Sequence, residues 1–389
     1  IVGTGLTTIV VNATGTTSDI EQLNVAGATD VTINASAKFT SNQNNAATFG
    51  VNTTGTKGTI TVTGTGAVDI GTIDPGFTTV NAGANSGGFS ALLATGDDTV
   101  LTGSSGNDTI TASSTDALAT ADKLAVNAGE GTDTLVILAT ADVNTAADSA
   151  RYLGFEKLEL VDSTNLANFS DITEISFAGN SKTLSGLNAV QSAAITVHTT
   201  TTGTFQASLA TATATNDVLT LNLTSATATT NVDVAGAVFT GYETVNINAT
   251  TGVAATDSDV VFATAGDTSV INITGTADVV TTLTSTKSTG VAVTSTTTGA
   301  YTATGNIAAG SSVTSGSGAD ALTISTTLGS TYNSGAGADT ITGALTSIVN
   351  TGVLDHVIDA GAGIDTLAIS TVGATVMTDN HFTNISNME

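Results

Sequence analysis

The residues of this chain that could do chemistry are its aspartates, and they stand in a pattern. Gly316-Ser317-Gly318-Ala319-Asp320, Gly335-Ala336-Gly337-Ala338-Asp339 and Gly361-Ala362-Gly363-Ile364-Asp365 share one spacing. Each is followed two residues on by an apolar side chain: Leu322, Ile341 or Leu367. Gly129-Glu130-Gly131-Thr132-Asp133 repeats the pattern ahead of Leu135. A looser copy, Gly103-Ser104-Ser105-Gly106-Asn107-Asp108, has Ser104-Ser105 where a second glycine would stand, and Gly96-Asp97-Asp98 keeps only the second half. Asn127, Asn333 and Asp359 precede their glycine pairs by two residues and add a side-chain oxygen. Glycines let a backbone turn with positive φ and crowd carbonyl oxygens together. An aspartate beside such a turn supplies the hard anionic oxygen that calcium prefers. The set matches the calcium-binding nonapeptide G-G-x-G-x-D-x-U-x, in which U is a large apolar residue.

One aspartate cannot fill the six to eight oxygen sites of calcium, so such sites are shared between stacked turns. In a parallel roll, turns on the same side recur after two nonapeptides, roughly 18 residues. Asp320 and Asp339 fit that rule. Asp339 to Asp365 exceeds it, so an excursion through Thr346–Leu354 must loop out. Asp98 and Asp108 are one nonapeptide apart and belong on opposite sides. Asp108 to Asp133 again needs an insertion, and Asp122 and Asp355 occupy equivalent places just after the two excursions.

Other chemistry is poorly supplied. The chain has Cys 0 and His 3, and His198, His356 and His381 are far apart in sequence. They read as solvated or capping residues. No zinc-protease, serine-hydrolase or phosphate-loop motif is present. The chain reads as non-enzymatic.

The aspartate turns need strands to hold them. Ile9-Val10-Val11, Val31-Thr32-Ile33, Ile60-Thr61-Val62, Leu219-Thr220-Leu221, Val245-Asn246-Ile247 and Ile271-Asn272-Ile273 alternate apolar and polar residues, with Gly, Asn and Asp between such runs. Pro 1 and Trp 0 accompany a Thr-, Ala- and Gly-rich composition that favours strand. The best helix candidate is Thr145 to Leu153, closed by Gly154. An Ile/Phe/Tyr-Glu corner recurs at Glu21, Glu156 and Glu243. Its glutamate is better suited to satisfying strand-end amides than to binding metal. Asn216-Asp217-Val218-Leu219 reads as a degenerate, glycine-free copy that has lost its metal.

The chain has 389 residues, with Lys+Arg 7 against Asp+Glu 33 and a formal net charge of −26. Such a chain does not bind nucleic acid or an anionic membrane by charge alone. Hydrophobic residues at 40% and a mean hydropathy of +0.28 still allow a core. With no disulfides, divalent cations are the expected staples of a protein outside the cell. No run approaches the ~18 apolar residues of a membrane span. Ile1 is not a methionine and Glu389 falls inside a strand pattern, so the sequence reads as a piece of a longer or processed protein.

These turns resemble the RTX repeats of type I-secreted bacterial proteins. Internal RTX blocks, Thr-rich strands and Gly154-Phe155-Glu156-Lys157-Leu158 or Gly241-Tyr242-Glu243-Thr244-Val245 corners are similar to the calcium-dependent surface-layer proteins of Gram-negative bacteria, the Caulobacter type. The resemblance implies a secreted, structural protein that folds in calcium outside the cell. Copies then tile the surface as a two-dimensional lattice. Lipopolysaccharide anchoring in that family uses a helical domain not visible in this sequence.

The expected fold is all-β, a β-solenoid or parallel β-roll with RTX-type calcium turns and room for sandwich-like segments. The expected layout is a strand-rich segment 1–92, a first calcium block 93–140, a strand-rich segment 141–312 with the degenerate repeat, a second calcium block 313–370, and the start of a further repeat at 371–389. Alternatives are an RTX-type calcium-dependent adhesin and the non-catalytic RTX region of a secreted enzyme. An ice-binding solenoid would need Thr-x-Thr ranks at constant period, and Thr61-x-Thr63 and Thr302-x-Thr304 are irregularly placed.

Overall fold

The computed structural model describes residues 6–20, 27–41, 48–49, 58–93, 98–112, 123–138, 143, 145–178, 182–199, 203–212, 215–225, 232–250, 258–264, 267–284, 289–349, 355–371 and 382–388. Strand accounts for 52% and helix for 6%. The strands pair parallel, each with its counterpart one turn on, so the fold is a β-solenoid of the parallel-roll kind. Two compact units divide at Ile175/Ser176. No sandwich-like segment occurs among the described residues. Short turns carry the chain to the opposite sheet, so successive strands do not pair as hairpins.

In the first unit the chain alternates between two sheets. One contains Asp30–Ala35, Gly58–Gly64, Phe77–Asn85, Val100–Thr102 and Ala125–Asn127. The other contains Val68–Ile73, Phe89–Leu92, Thr109–Ala112, Thr134–Ile137 and Lys157–Leu160. Alternation points Ile33, Ile60 and Val62 of the first inward with Phe89, Ile110, Leu135 and Leu158 of the second, all essentially inaccessible to solvent. Asp98 and Asp108 therefore lead into different sheets, as their spacing predicts. The helix expected over Thr145–Leu153 is shorter. Only Ala146–Ser149 is helical, with Thr145 accepting the Asp148 N–H at 3.2 Å. Tyr152–Leu153 is instead drawn into parallel pairing with Val126 and Asn127, and Gly154 turns the chain with φ +76°.

The second unit has two nine-stranded parallel sheets. One runs from Ile195–Val197 to Ile385–Ser386. The other runs from Thr183–Leu187 to Thr366–Thr371. Stacking places like on like. Phe177, Phe205, Phe239 and Phe262 form an inner ladder with centroids 4.8, 5.8 and 5.9 Å apart. On the outer face of that sheet, Val280, Thr302, Ala321, Thr340 and Thr366 stand in one row. Thr282, Thr304, Thr323 and Thr342 stand in the row beside it. The irregular sequence spacing of these Thr-x-Thr pairs is absorbed by loops. Leu345–Ile348, a single helical turn, begins the excursion expected between Asp339 and Asp365.

The phenylalanine ladder generates a stability prediction. Phe239 is 2% exposed and touches a ring on each side. Phe239→Ala should destabilise the folded chain by about 3–5 kcal/mol, read from denaturant unfolding. A loss below 1 kcal/mol would show that the ladder is not a packed core.

Candidate metal centre

Each aspartate of the pattern sits one residue before a strand, so parallel register stacks it on its counterpart in the next turn. Asp320, Asp339 and Asp365 precede strands that pair Ala321 with Thr340 and Thr340 with Thr366. Asp365 Oδ1 accepts the Asp339 N–H at 2.9 Å, and Asp339 Oδ1 accepts the Asp320 N–H at 2.8 Å. Asp320 Oδ1 accepts the Tyr301 N–H at 2.7 Å. The first unit repeats this. Glu156 Oε2 accepts the Asp133 N–H at 2.9 Å, and Asp133 Oδ1 accepts the Asp108 N–H at 2.7 Å. The corner glutamates thus serve strand-start amides, Glu243 likewise taking the Asp217 N–H at 2.9 Å.

The second carboxylate oxygen tells these residues apart. Oδ2 of Asp133, Asp217, Asp320, Asp339 and Asp365 is buried and accepts no hydrogen bond. Asp133, Asp320 and Asp339 are 0%, 2% and 1% exposed. Asp108 differs: it accepts from the Phe89 N–H at 2.7 Å, the Ser104 N–H at 2.6 Å and the Ser104 hydroxyl. Ser104, in the place of a glycine, supplies the donors that the other turns lack.

Glycines form the rest of the cradle. A Cβ at Gly335 would sit on the Gly316 carbonyl oxygen, one at Gly361 on that of Gly335, and one at Gly363 on that of Gly337. Gly318 and Gly337 stack in the same way, as do Gly106 and Gly131. Gly129, Gly131, Gly335, Gly361 and Gly363 have φ of +108°, +137°, +84°, +80° and +143°, values that only glycine adopts freely. At Gly103 a Cβ would strike the Ala128 carbonyl and the Asp108 carboxylate. The turns therefore present stacked backbone carbonyls beside buried carboxylates, a donor set that suits a hard cation.

The remaining candidates do other work. Asn127, Asn333 and Asp359 accept the N–H two residues on, from Gly129, Gly335 and Gly361, at 3.2, 2.9 and 3.1 Å. They shape the turns. Asp98 accepts the Lys123 N–H at 3.2 Å. Asp355 enters the other sheet beside His356. Gly96 and Asp122 lie outside the described residues, as do His381 and Glu21. His356 is buried: Nδ1 accepts the Ser330 N–H at 3.1 Å and Nε2 lies 3.0 Å from the Ser325 carbonyl. Burial holds its imidazole below the usual pKa. His198 lies 3.3 Å from the Thr224 carbonyl. Both histidines serve backbone groups. Among the described residues no three carboxylate or imidazole groups converge. A cation in these turns would be held by one or two aspartates plus carbonyls.

The glycine-free copy at Asp217 keeps the orphaned oxygen, so a lone buried carboxylate oxygen does not by itself require glycines. The glycine turns add the stacked carbonyls.

Burial raises the pKa of Asp108, Asp320 and Asp339, and lifts that of Asp133 to about 6. The Ser315 and Ser334 hydroxyls lie beside Asp320 and Asp339 and soften the rise. Both instead donate to carbonyls, of Ser334 and Ala360, at 2.8 and 2.7 Å.

A carboxyl raised on folding binds its proton more tightly in the native state. Its stabilising contribution is full below the unfolded pKa and is lost as pH rises through the folded one. The metal-free chain should therefore lose stability between pH ~4 and about 6, the latter being the raised value of Asp133. Melting curves in chelator across that range test this, and a rise in stability would contradict it. Asp339→Asn keeps an acceptor for the Asp320 N–H and removes the orphaned charge. It should stabilise the metal-free chain above pH 7 by about 1–3 kcal/mol. Equal or lower stability would show that Oδ2 carries no penalty. Comparison of the sequence with protein-family models and with curated proteins finds no match, so the reading of these turns rests on their own geometry.

Proposed function

We propose that this chain is a structural protein of a paracrystalline bacterial surface layer, folding and assembling into a two-dimensional lattice as calcium fills the aspartate rows. The observation that carries the proposal is the set of buried, unpartnered Oδ2 atoms of Asp320, Asp339 and Asp365, stacked beside glycine carbonyls. Asp133 offers the same in the first unit. Calcium supplies positive charge to oxygens that have no protein donor, and lowers the net charge of −26 that separates copies. Extracellular calcium modules bind at about 10⁻⁴–10⁻³ M. The chain would then stay unfolded in a calcium-poor cytosol and fold on export. Among the described residues no helix is long and apolar enough to cross a membrane, and anchoring is assigned to a region outside this sequence.

The experiment is electron microscopy of the chain in calcium, then in chelator. Calcium should give periodic sheets that dissolve to monomers on chelation. Isolated fibrils would instead favour an adhesin, and sheets that persist in excess chelator at low salt would sink the role of calcium. In a calcium titration of folding, Asp339→Ala and Asp365→Ala should raise the midpoint severalfold. Asp108→Asn, whose carboxylate is already served by Ser104, should leave it unchanged. Identical behaviour of all three would show that the orphaned oxygens are not ligands.

A further inference from the structure

We propose that the threonine face of the second unit, the outer side of the sheet from Thr183–Leu187 to Thr366–Thr371, is where one copy of this chain meets another, face on face. The inference rests on the lattice reading above and names the surface it would use.

Charge distribution is the first argument. The chain carries 33 acidic residues, yet Asp259 is the one charged residue on the nine strands of this sheet. The acids of this unit gather at the turns: Asp217, Asp278, Asp320, Asp339 and Asp365 all lie just before strands. By contrast, strands of the first unit carry Asp30, Lys38, Asp69, Lys157 and Glu159. Two copies that approached turn to turn would set like charges together. Face to face they meet without that penalty.

Desolvation is the second argument, and it selects this sheet over its opposite. The opposite sheet exposes asparagine rows whose amides bond one another: Asn272 donates to Asn246 at 2.9 Å and Asn248 to Asn222 at 3.2 Å. Burying those amides costs unless every bond is replaced. The threonine face offers methyls, alanine and valine, with hydroxyls that pair along the rows, as Thr282 does with Thr304 at 2.9 Å. Area is the third. Strands at ~4.8 Å with about four residues at ~3.3 Å make a face of roughly 500 Å² over the nine. That is below the ~800 Å² per partner of a stable soluble complex. A contact of this size holds when repeated across a lattice and dissociates in an isolated pair. An isologous contact also keeps the two rows parallel or antiparallel to their own copies.

The test uses the full chain in calcium. Thr304→Glu with Thr323→Glu should leave calcium-induced folding unchanged by circular dichroism and abolish assembly by sedimentation and electron microscopy. The same change on the opposite sheet, Thr294→Glu with Thr314→Glu, should assemble as the unaltered chain does. Mixing the glutamate variant with Thr304→Lys/Thr323→Lys should restore assembly. Thr323→Glu alone, at an exposed position, serves if the double variant does not fold. Assembly by the glutamate variant alone, or no recovery on mixing, overturns the proposal. So does ice faceted by the unaltered chain and not by the variant, with assembly unaffected, since the rows would then match an ice plane. If the unaltered chain forms no array in calcium, the surface-layer reading fails first, and sedimentation of the monomer at high concentration still shows whether the glutamates remove a pairwise contact.

Discussion

Parallel, in-register stacking is the constraint on which the structure depends. It sets every residue beside its counterpart one turn away, and the consequence differs by residue type. Phenylalanines gain ring contacts, asparagines gain amide ladders and threonines gain hydroxyl pairs. Aspartates gain repulsion. Two unit charges at a ~4.8 Å turn spacing repel by roughly 3 kcal/mol at an effective dielectric near 20, and the pattern repeats three times from Asp320 to Asp365.

The molecule answers that repulsion in three ways. The first carboxylate oxygen is always used: it accepts the strand-start amide of the adjacent turn, which keeps the coil in register. The second oxygen is satisfied internally at Asp108, where Ser104 gives both a hydroxyl and an N–H. At Asp133, Asp320, Asp339 and Asp365 it is left bare beside glycine carbonyls. Glu156 and Glu243 end the amide row with a longer arm that reaches the preceding turn. One backbone geometry thus yields a protein-satisfied turn and a cation-ready turn, and a single residue, serine or glycine, separates them.

Much of this was legible in the sequence, because turn chemistry and strand alternation are local. The Gly-x-Gly-x-Asp spacing located the rows, the distances between aspartates assigned them to sides, and the Tyr-Glu and Phe-Glu corners marked strand starts. What the sequence hid is register. The threonine pairs around Thr304, Thr323 and Thr342 look irregular in sequence, because loops of different length separate turns that stack evenly. Asn333 and Asp359 looked like ligands, yet their oxygens close the turn on the N–H two residues ahead. Whether a side-chain oxygen meets an amide or remains free depends on the neighbouring turn. The helix expected through Leu153 failed for the same reason, since pairing of Tyr152 with Val126 overrode local propensity.

The central claim is that the bare Oδ2 atoms are completed by calcium. Anomalous diffraction from crystals grown in calcium measures this most directly. The account predicts ion peaks in contact with Oδ2 of Asp133, Asp320, Asp339 and Asp365, and none at Asp108. Crystals in which those four oxygens stay without an ion, or in which Asp108 holds one as readily, would contradict it.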